Sequence, residues 1–408
     1  MSDINENTIE ITEYKLLGKL PDPFTFNDGS RVKTPEDWKR RRKEICKSTI
    51  DLQYGTMPPA PDFLEVEPLY LGGEGKPSGY RIKTGTRENP IVFKMVIIKA
   101  RSKKAPAVIS GDLCFQYTYD KEYIDTFIKN DINLVLFDRT ELAPDIAEYN
   151  LKNLGTTETY EYREGRRILD MLETGCCGGQ VKAAYPGYSF GATGAWAWGY
   201  SRCVDALELL GNVDTDFIAF TGHSRGGKTA ALAGAVDTRA RIVNPNATCA
   251  GGNSGYRISI KAKNEYGKEL ISEPLENIFR NFPSWMGQEL KDYIGREDEL
   301  PFDSHYLKAL VAPRILFVSE AASDIWANPV GSYQTTEAAS EVFKFLGCEE
   351  NLYWYFRSGT HYHKIEDIAQ LVNIINHVRN GEALNDKFFR LPFKYIEKAY
   401  DWVCPDKE

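Results

Sequence analysis

Phe217-Ile-Ala-Phe-Thr-Gly-His-Ser-Arg-Gly-Gly-Lys-Thr-Ala-Ala-Leu-Ala-Gly234 decides how this chain is read. Its first residues are apolar and read as a buried strand; its last are rich in Ala and Leu and read as a helix. Between them lies Gly222-His223-Ser224-Arg225-Gly226, a G-x-S-x-G at a strand-to-helix turn. A serine on so tight a turn leaves no room for neighbouring side chains, which accounts for the glycines. Its hydroxyl would stand at the sheet edge, with N–H groups of the following helix open to a developing oxyanion. An ordinary Gly-Ser loop is the competing reading, and the flanking strand and helix argue against it. A phosphate-binding loop is excluded, because no G-x-x-x-x-G-K-[ST] spacing includes Lys228-Thr229. Ser224 is the expected nucleophile.

Working outward, apolar strands alternate with helices. Strands are expected at Gly79–Lys83, Ile91–Ile98, Ala107–Ser110, Ile132–Phe137, Arg241–Val243, Arg314–Ser319 and Leu352–Phe356. Helices are expected at Glu122–Lys129, Gly194–Leu210, Ser332–Phe345 and Ile365–Val378. This alternation predicts an α/β fold, with a mostly parallel central sheet covered by helices on both faces as a three-layer sandwich. Residues 1–75 read as an extension packed on a catalytic domain of residues 76–408. Within the extension, Thr34-Pro35 starts a helix running to about Leu52. Residues 139–190 are rich in Gly and Tyr and read as a long loop over the site. Trp196, Trp198 and Tyr200 read as core.

The 408 residues, 42% hydrophobic, can bury a large core. A formal net charge of −8 argues against a nucleic-acid partner. The basic run Lys39–Lys43 reads as a solvated helix face. No signal peptide and no membrane-length apolar run is visible. Eight scattered cysteines, with no C-x-x-C, read as reduced thiols without metal, so a cytoplasmic protein is expected.

An activated serine needs a base, and the base an orienting acid, in the chain order Ser, acid, His. His361 follows the last strand and is the expected base; His363 and His305 are rivals, and His377 reads as structural. Asp324 follows the preceding strand and is the expected acid, with Glu320 as its rival. Arg225 and Lys228 would favour an acidic or hydroxyl-rich substrate, unless each pairs with a local carboxylate. Trp326 could stack on a sugar or fill a core gap.

Gly222-His-Ser-Arg-Gly-Gly-Lys228 resembles the G-C/H-S-R-x-G-K signature of glucuronoyl esterases, carbohydrate esterase family 15. The similarity continues through Ala195-Trp-Ala-Trp-Gly199, Leu300-Pro-Phe-Asp-Ser-His305 and Asp324-Ile-Trp-Ala-Asn-Pro329, covering about 195–380. The resemblance implies an α/β-hydrolase without metal or other cofactor, acting on 4-O-methyl-glucuronoyl esters of xylan-derived saccharides. It implies Ser224 as nucleophile, His361 as base, Arg225 at the oxyanion, Lys228 on sugar hydroxyls and Trp326 lining the uronate pocket. It also pairs Glu269, at a spacing that departs from the family's, with a glutamate that touches the sugar in some members. Many members carry the acid shortly after the elbow helix; here an ungapped count from Ser224 lands on Ala247, which passes the role to Asp324 and marks a divergent subgroup. Sugar deacetylation, peptide hydrolysis and a non-catalytic binding relic remain as alternatives, with an oligosaccharide or small-molecule ester as the expected partner.

Overall fold

A computed structural model describes residues 10–145, 179–393 and 397–406. Strand β1 (Ile11–Leu16) is followed by helix α1 (Pro35–Cys46), which continues through a π-helical turn to Tyr54. Thr34 and Asp37 form a reciprocal capping box at the start of α1, which is why the helix begins there. Three antiparallel strands follow, β2 (Phe63–Tyr70), β3 (Pro77–Gly85) and β4 (Pro90–Ile98). Then come β5 (Ala107–Ser110), helix α2 (Lys121–Ile128), β6 (Asn133–Phe137), helix α3 (Ala192–Leu210) and β7 (Ile218–His223). Helix α4 (Arg225–Val236) and β8 (Ala240–Asn246) lead to β9 (Ile258–Lys263) and β10 (Glu269–Ile271). The last elements are β11 (Ile315–Ala321), helix α5 (Pro329–Leu346), β12 (Leu352–Arg357) and helix α6 (Ile365–Asn380).

Among the described residues the main sheet has nine strands, in the order β12-β11-β8-β7-β5-β6-β4-β3-β2. The six from β12 to β6 are parallel, and the β4-β3-β2 edge is antiparallel. Side chains alternate between two apolar layers, as a doubly covered sheet requires. Ile218 and Phe220 of β7 join the core beneath α3, α4 and α5, while Phe217 and Ala219 face the layer built by α2 and α6. Trp196 and Tyr200 of α3 are fully buried, and Trp198 nearly so.

Two expectations are corrected. The 75/76 boundary falls in the turn between β2 and β3, which are hydrogen-bonded, so the extension supplies the edge strand of the main sheet. Strand β1 pairs with β9 in a separate three-stranded sheet, β1-β9-β10. The basic run is not wholly a solvated face: Arg41 is buried and bonds Pro23 O and Tyr306 Oη. Arg42 donates to Ala235 O and Leu310 O, fastening α1 to the main domain. Of the expected loop 139–190, residues 146–178 lie outside the described residues. No helix among the described residues is long and apolar enough to cross a membrane.

Candidate active site

The turn from β7 into α4 puts Ser224 at φ 57° and ψ −118°, a conformation that a non-glycine residue adopts only when its surroundings enforce it. The surroundings are visible in the glycines. A Cβ on Gly222 would strike the Gly226 carbonyl, and one on Gly226 would strike the Asp112 carboxylate. The serine backbone is tied down by its own N–H, which donates to Asn246 O at 2.9 Å. Ser224 occupies the N-cap position of α4 without a side-chain cap hydrogen bond, which leaves its hydroxyl free to face the base at the positive end of the helix.

His361 Nε2 lies 2.9 Å from Ser224 Oγ, and His361 Nδ1 lies 2.6 Å from Asp324 Oδ2. An ionised carboxylate only accepts, so Nδ1 carries the proton and Nε2 is left to receive one from the serine. Asp324 is buried, its second oxygen accepting the Ala327 N–H at 3.2 Å, whereas the His361 side chain is 38% exposed. The structure thus brings together Ser224, His361 and Asp324, three residues from the loops after β7, β12 and β11.

The rivals are occupied elsewhere. Glu320 is buried and accepts from Asn253 Nδ2 at 3.0 Å and Ser332 Oγ at 2.9 Å; burial pushes its carboxyl up to about 7. His305 is fully buried, its Nε2 against Pro21 O at 2.8 Å, and burial lowers its pKa to about 4. His363 packs on Tyr117 and His223, and burial lowers its pKa well below the ordinary value. His223 sets its ring 4.9 Å from that of His361, with its own pKa lowered by burial first and then by His361. Ala247 is buried just beyond β8 and offers no carboxylate.

Both basic residues of the elbow helix pair with carboxylates. Arg225 donates to Asp145 at 3.0 and 3.1 Å, and its guanidinium lies 4.9 Å from the Phe282 ring centroid and 4.8 Å from that of Trp285. Trp285 Nε1 also donates to Asp145, at 3.0 Å. Lys228 Nζ is buried and donates to Thr248 O, Ala250 O and Glu273 Oε2 at 2.6, 2.6 and 2.8 Å. Glu273 in turn donates its N–H to Trp326 O at 3.0 Å, and the Trp326 side chain stands in contact with solvent at 37% exposure.

Glu269 requires correction: it lies on β10 opposite Lys263, is exposed, and approaches Lys261 at 3.9 Å. The glutamate that meets Lys228 is Glu273, four residues later. Nothing in Ser272-Glu273-Pro274 distinguishes it in sequence; only the course of the chain after β10 brings it inward. Asp145 was equally invisible, an acidic residue in an irregular stretch. No group of three or more candidate ligands able to hold a metal occurs among the described residues.

Residues 179–347 match the family model described as "Glucuronyl esterase, fungi". The 4-O-methyl-glucuronoyl methylesterase 1 of Wolfiporia cocos is 28% identical over 348 residues, covering 85% of this chain and 76% of that protein. The 4-O-methyl-glucuronoyl methylesterase of Schizophyllum commune is also 28% identical, covering 84% and 77%. Among solved structures, a carbohydrate esterase family 15 glucuronoyl esterase from Caldicellulosiruptor kristjansonii superimposes with a TM-score of 0.75 at 25% identity, covering 95% of this chain and 98% of that one.

Proposed function

We propose that this chain, a glucuronoyl-esterase-like α/β-hydrolase, cleaves carboxylic esters of uronic acids, in particular 4-O-methyl-glucuronoyl esters on xylan-derived saccharides. The observation that carries the reading is the unbroken hydrogen-bond chain Ser224 Oγ–His361 Nε2, His361 Nδ1–Asp324 Oδ2. The curated relatives, named as methylesterases of that sugar acid, supply the substrate class.

In this mechanism Ser224 Oγ attacks the ester carbonyl while His361 Nε2 takes its proton, and Asp324 stabilises the imidazolium that forms. Charge developing on the carbonyl oxygen meets the N-terminus of α4 and the guanidinium of Arg225, held in place by Asp145 and the Phe282–Trp285 stack. Collapse expels the alcohol, protonated by His361, and leaves the uronyl group on Ser224. Water, activated by the same histidine, then releases the uronic acid.

The exposed Trp326 ring offers a flat apolar face for the sugar. Lys228 supports that wall from behind, through Glu273 and the Trp326 carbonyl, with its ammonium hydrogens spent on three protein acceptors.

The test is hydrolysis of benzyl glucuronate beside an acetylated xylo-oligosaccharide, with Ser224→Ala as the blank. Turnover of the uronate ester, lost in the variant, supports the reading. Acetate release alone would move the enzyme to the sugar deacetylases.

A further inference from the structure

His361 sits in the loop 358–364, between β12 and α6, and exposed loops seldom hold a base to a fraction of an ångström without help. The help comes from a buried ion pair beneath the loop. Arg357, the last residue of β12, and Asp367, in the first turn of α6, are both buried, with Arg357 Nε 2.8 and 2.9 Å from the two Asp367 oxygens. The other two guanidinium nitrogens reach backbone carbonyls on either side of the base: one donates to Ser358 O at 3.1 Å, the other to Tyr362 O at 2.5 Å. One planar group therefore straddles His361 in sequence.

Asp367 also gathers the rest of the site. Its second oxygen accepts the Lys364 N–H at 2.9 Å, closing the loop onto α6, and its first accepts from Asn246 Nδ2 at 3.2 Å. Asn246 is the residue whose backbone carbonyl holds the Ser224 N–H, and its Oδ1 lies 2.6 Å from His223 Nδ1. The nucleophile and the base are thus referred to one buried carboxylate from opposite sides.

We infer that Arg357 and Asp367 are positioning residues for the base: they fix the His361 loop against the elbow and touch neither substrate nor reacting atoms. The inference rests on Ser224 and His361 being nucleophile and base, so its test needs a readout that does not depend on the identity of the ester.

That readout is the rate at which a fluorophosphonate labels Ser224, measured beside kcat and KM for benzyl glucuronate and the thermal melting temperature. Arg357→Lys keeps the charge but loses the planar fork whose three separate nitrogens reach Asp367, Ser358 O and Tyr362 O at once. Asp367→Asn keeps the shape but releases the guanidinium. In folded protein, the labelling rate and kcat should both fall about 10- to 100-fold, as a displaced base requires, with KM changed little. Folded variants that label at the wild-type rate overturn the inference and leave the triad standing. If neither variant folds, the pair serves global stability and the inference fails. If the wild type itself neither labels nor hydrolyses, the reading of the site fails and takes this inference with it.

Discussion

Asp324 Oδ2 lies 2.6 Å from His361 Nδ1, and the two residues arrive there from loops that follow adjacent parallel strands. Ala321 of β11 stands in register with Arg357 of β12, and the pairing runs on past the strand ends. Ala322 N–H donates to Arg357 O at 2.8 Å and Ser323 N–H to Gly359 O at 3.0 Å. Acid and base are therefore carried by one continuous ladder, which sets their separation before any side-chain rotamer is chosen.

Asp324→Asn should lower kcat about a hundred- to ten-thousand-fold, because an amide no longer enforces the Nδ1–H tautomer or stabilises the imidazolium. Glu320→Gln should leave kcat within about twofold, since its carboxyl hydrogen-bonds Asn253 and Ser332 and takes no part in proton transfer. Steady-state kinetics on the two variants, side by side, decide between the acids.

Asp145→Ala should release Arg225 from its carboxylate and lower kcat by about tenfold or more, with a smaller change in KM, if the guanidinium serves the oxyanion. An unchanged kcat would remove Arg225 from the transition state. Comparing Arg225→Lys in the same assay checks whether geometry, rather than charge alone, carries the effect.

Trp326→Ala should raise KM for uronate esters about tenfold while leaving the hydrolysis of a small aryl acetate nearly unchanged, since only the sugar would use the ring face. Equal losses on both substrates would make the tryptophan a structural support.

The contribution of His305 to stability should fall between pH 7 and pH 4, against an opposing contribution from Glu320, whose carboxyl burial pushes up to about 7. Burial holds His305 at a pKa of about 4 in the folded chain against 6.5 when solvated, so in that window the unfolded state binds the extra proton. The His305 contribution therefore rises with pH through the window, by on the order of 3 kcal/mol fully expressed. His223 and His363, lowered in the same direction by burial, add to the slope. Denaturant midpoints at pH 5 and pH 7.5 should show that His305→Gln gains less stability with rising pH than the wild type does.

Gly226→Ala should abolish activity and destabilise the fold by about 2 kcal/mol or more, because the new methyl would strike the buried Asp112 carboxylate. That carboxylate is also held by Arg139, Tyr117 Oη and the His223 N–H, so it has nowhere to retreat. Melting temperature and activity on one preparation would show both losses together.

Much of the molecule was legible in the chain. The run Phe217–Gly234 specified the elbow because its requirements are local: apolar strand residues, glycines where no Cβ fits, and a helix of small residues. The order of strands and helices announced a doubly covered parallel sheet, and placement after successive strands singled out Asp324 and His361. Periodicity and turn chemistry act over a few residues and need no knowledge of the rest of the chain. Which carboxylate meets which cation is a different kind of fact. Lys228 and Glu273 are 45 residues apart, Arg225 and Asp145 are 80 apart, and Arg357 reaches across the base to Tyr362 only because β12 and α6 converge there. No local pattern encodes such pairings. A buried charge takes whichever partner the packed chain brings within reach, since leaving it unpaired costs several kcal/mol by rough order. That is why Glu269 and Glu273 could not be told apart in sequence, and why packing turned one outward and the other inward onto Lys228.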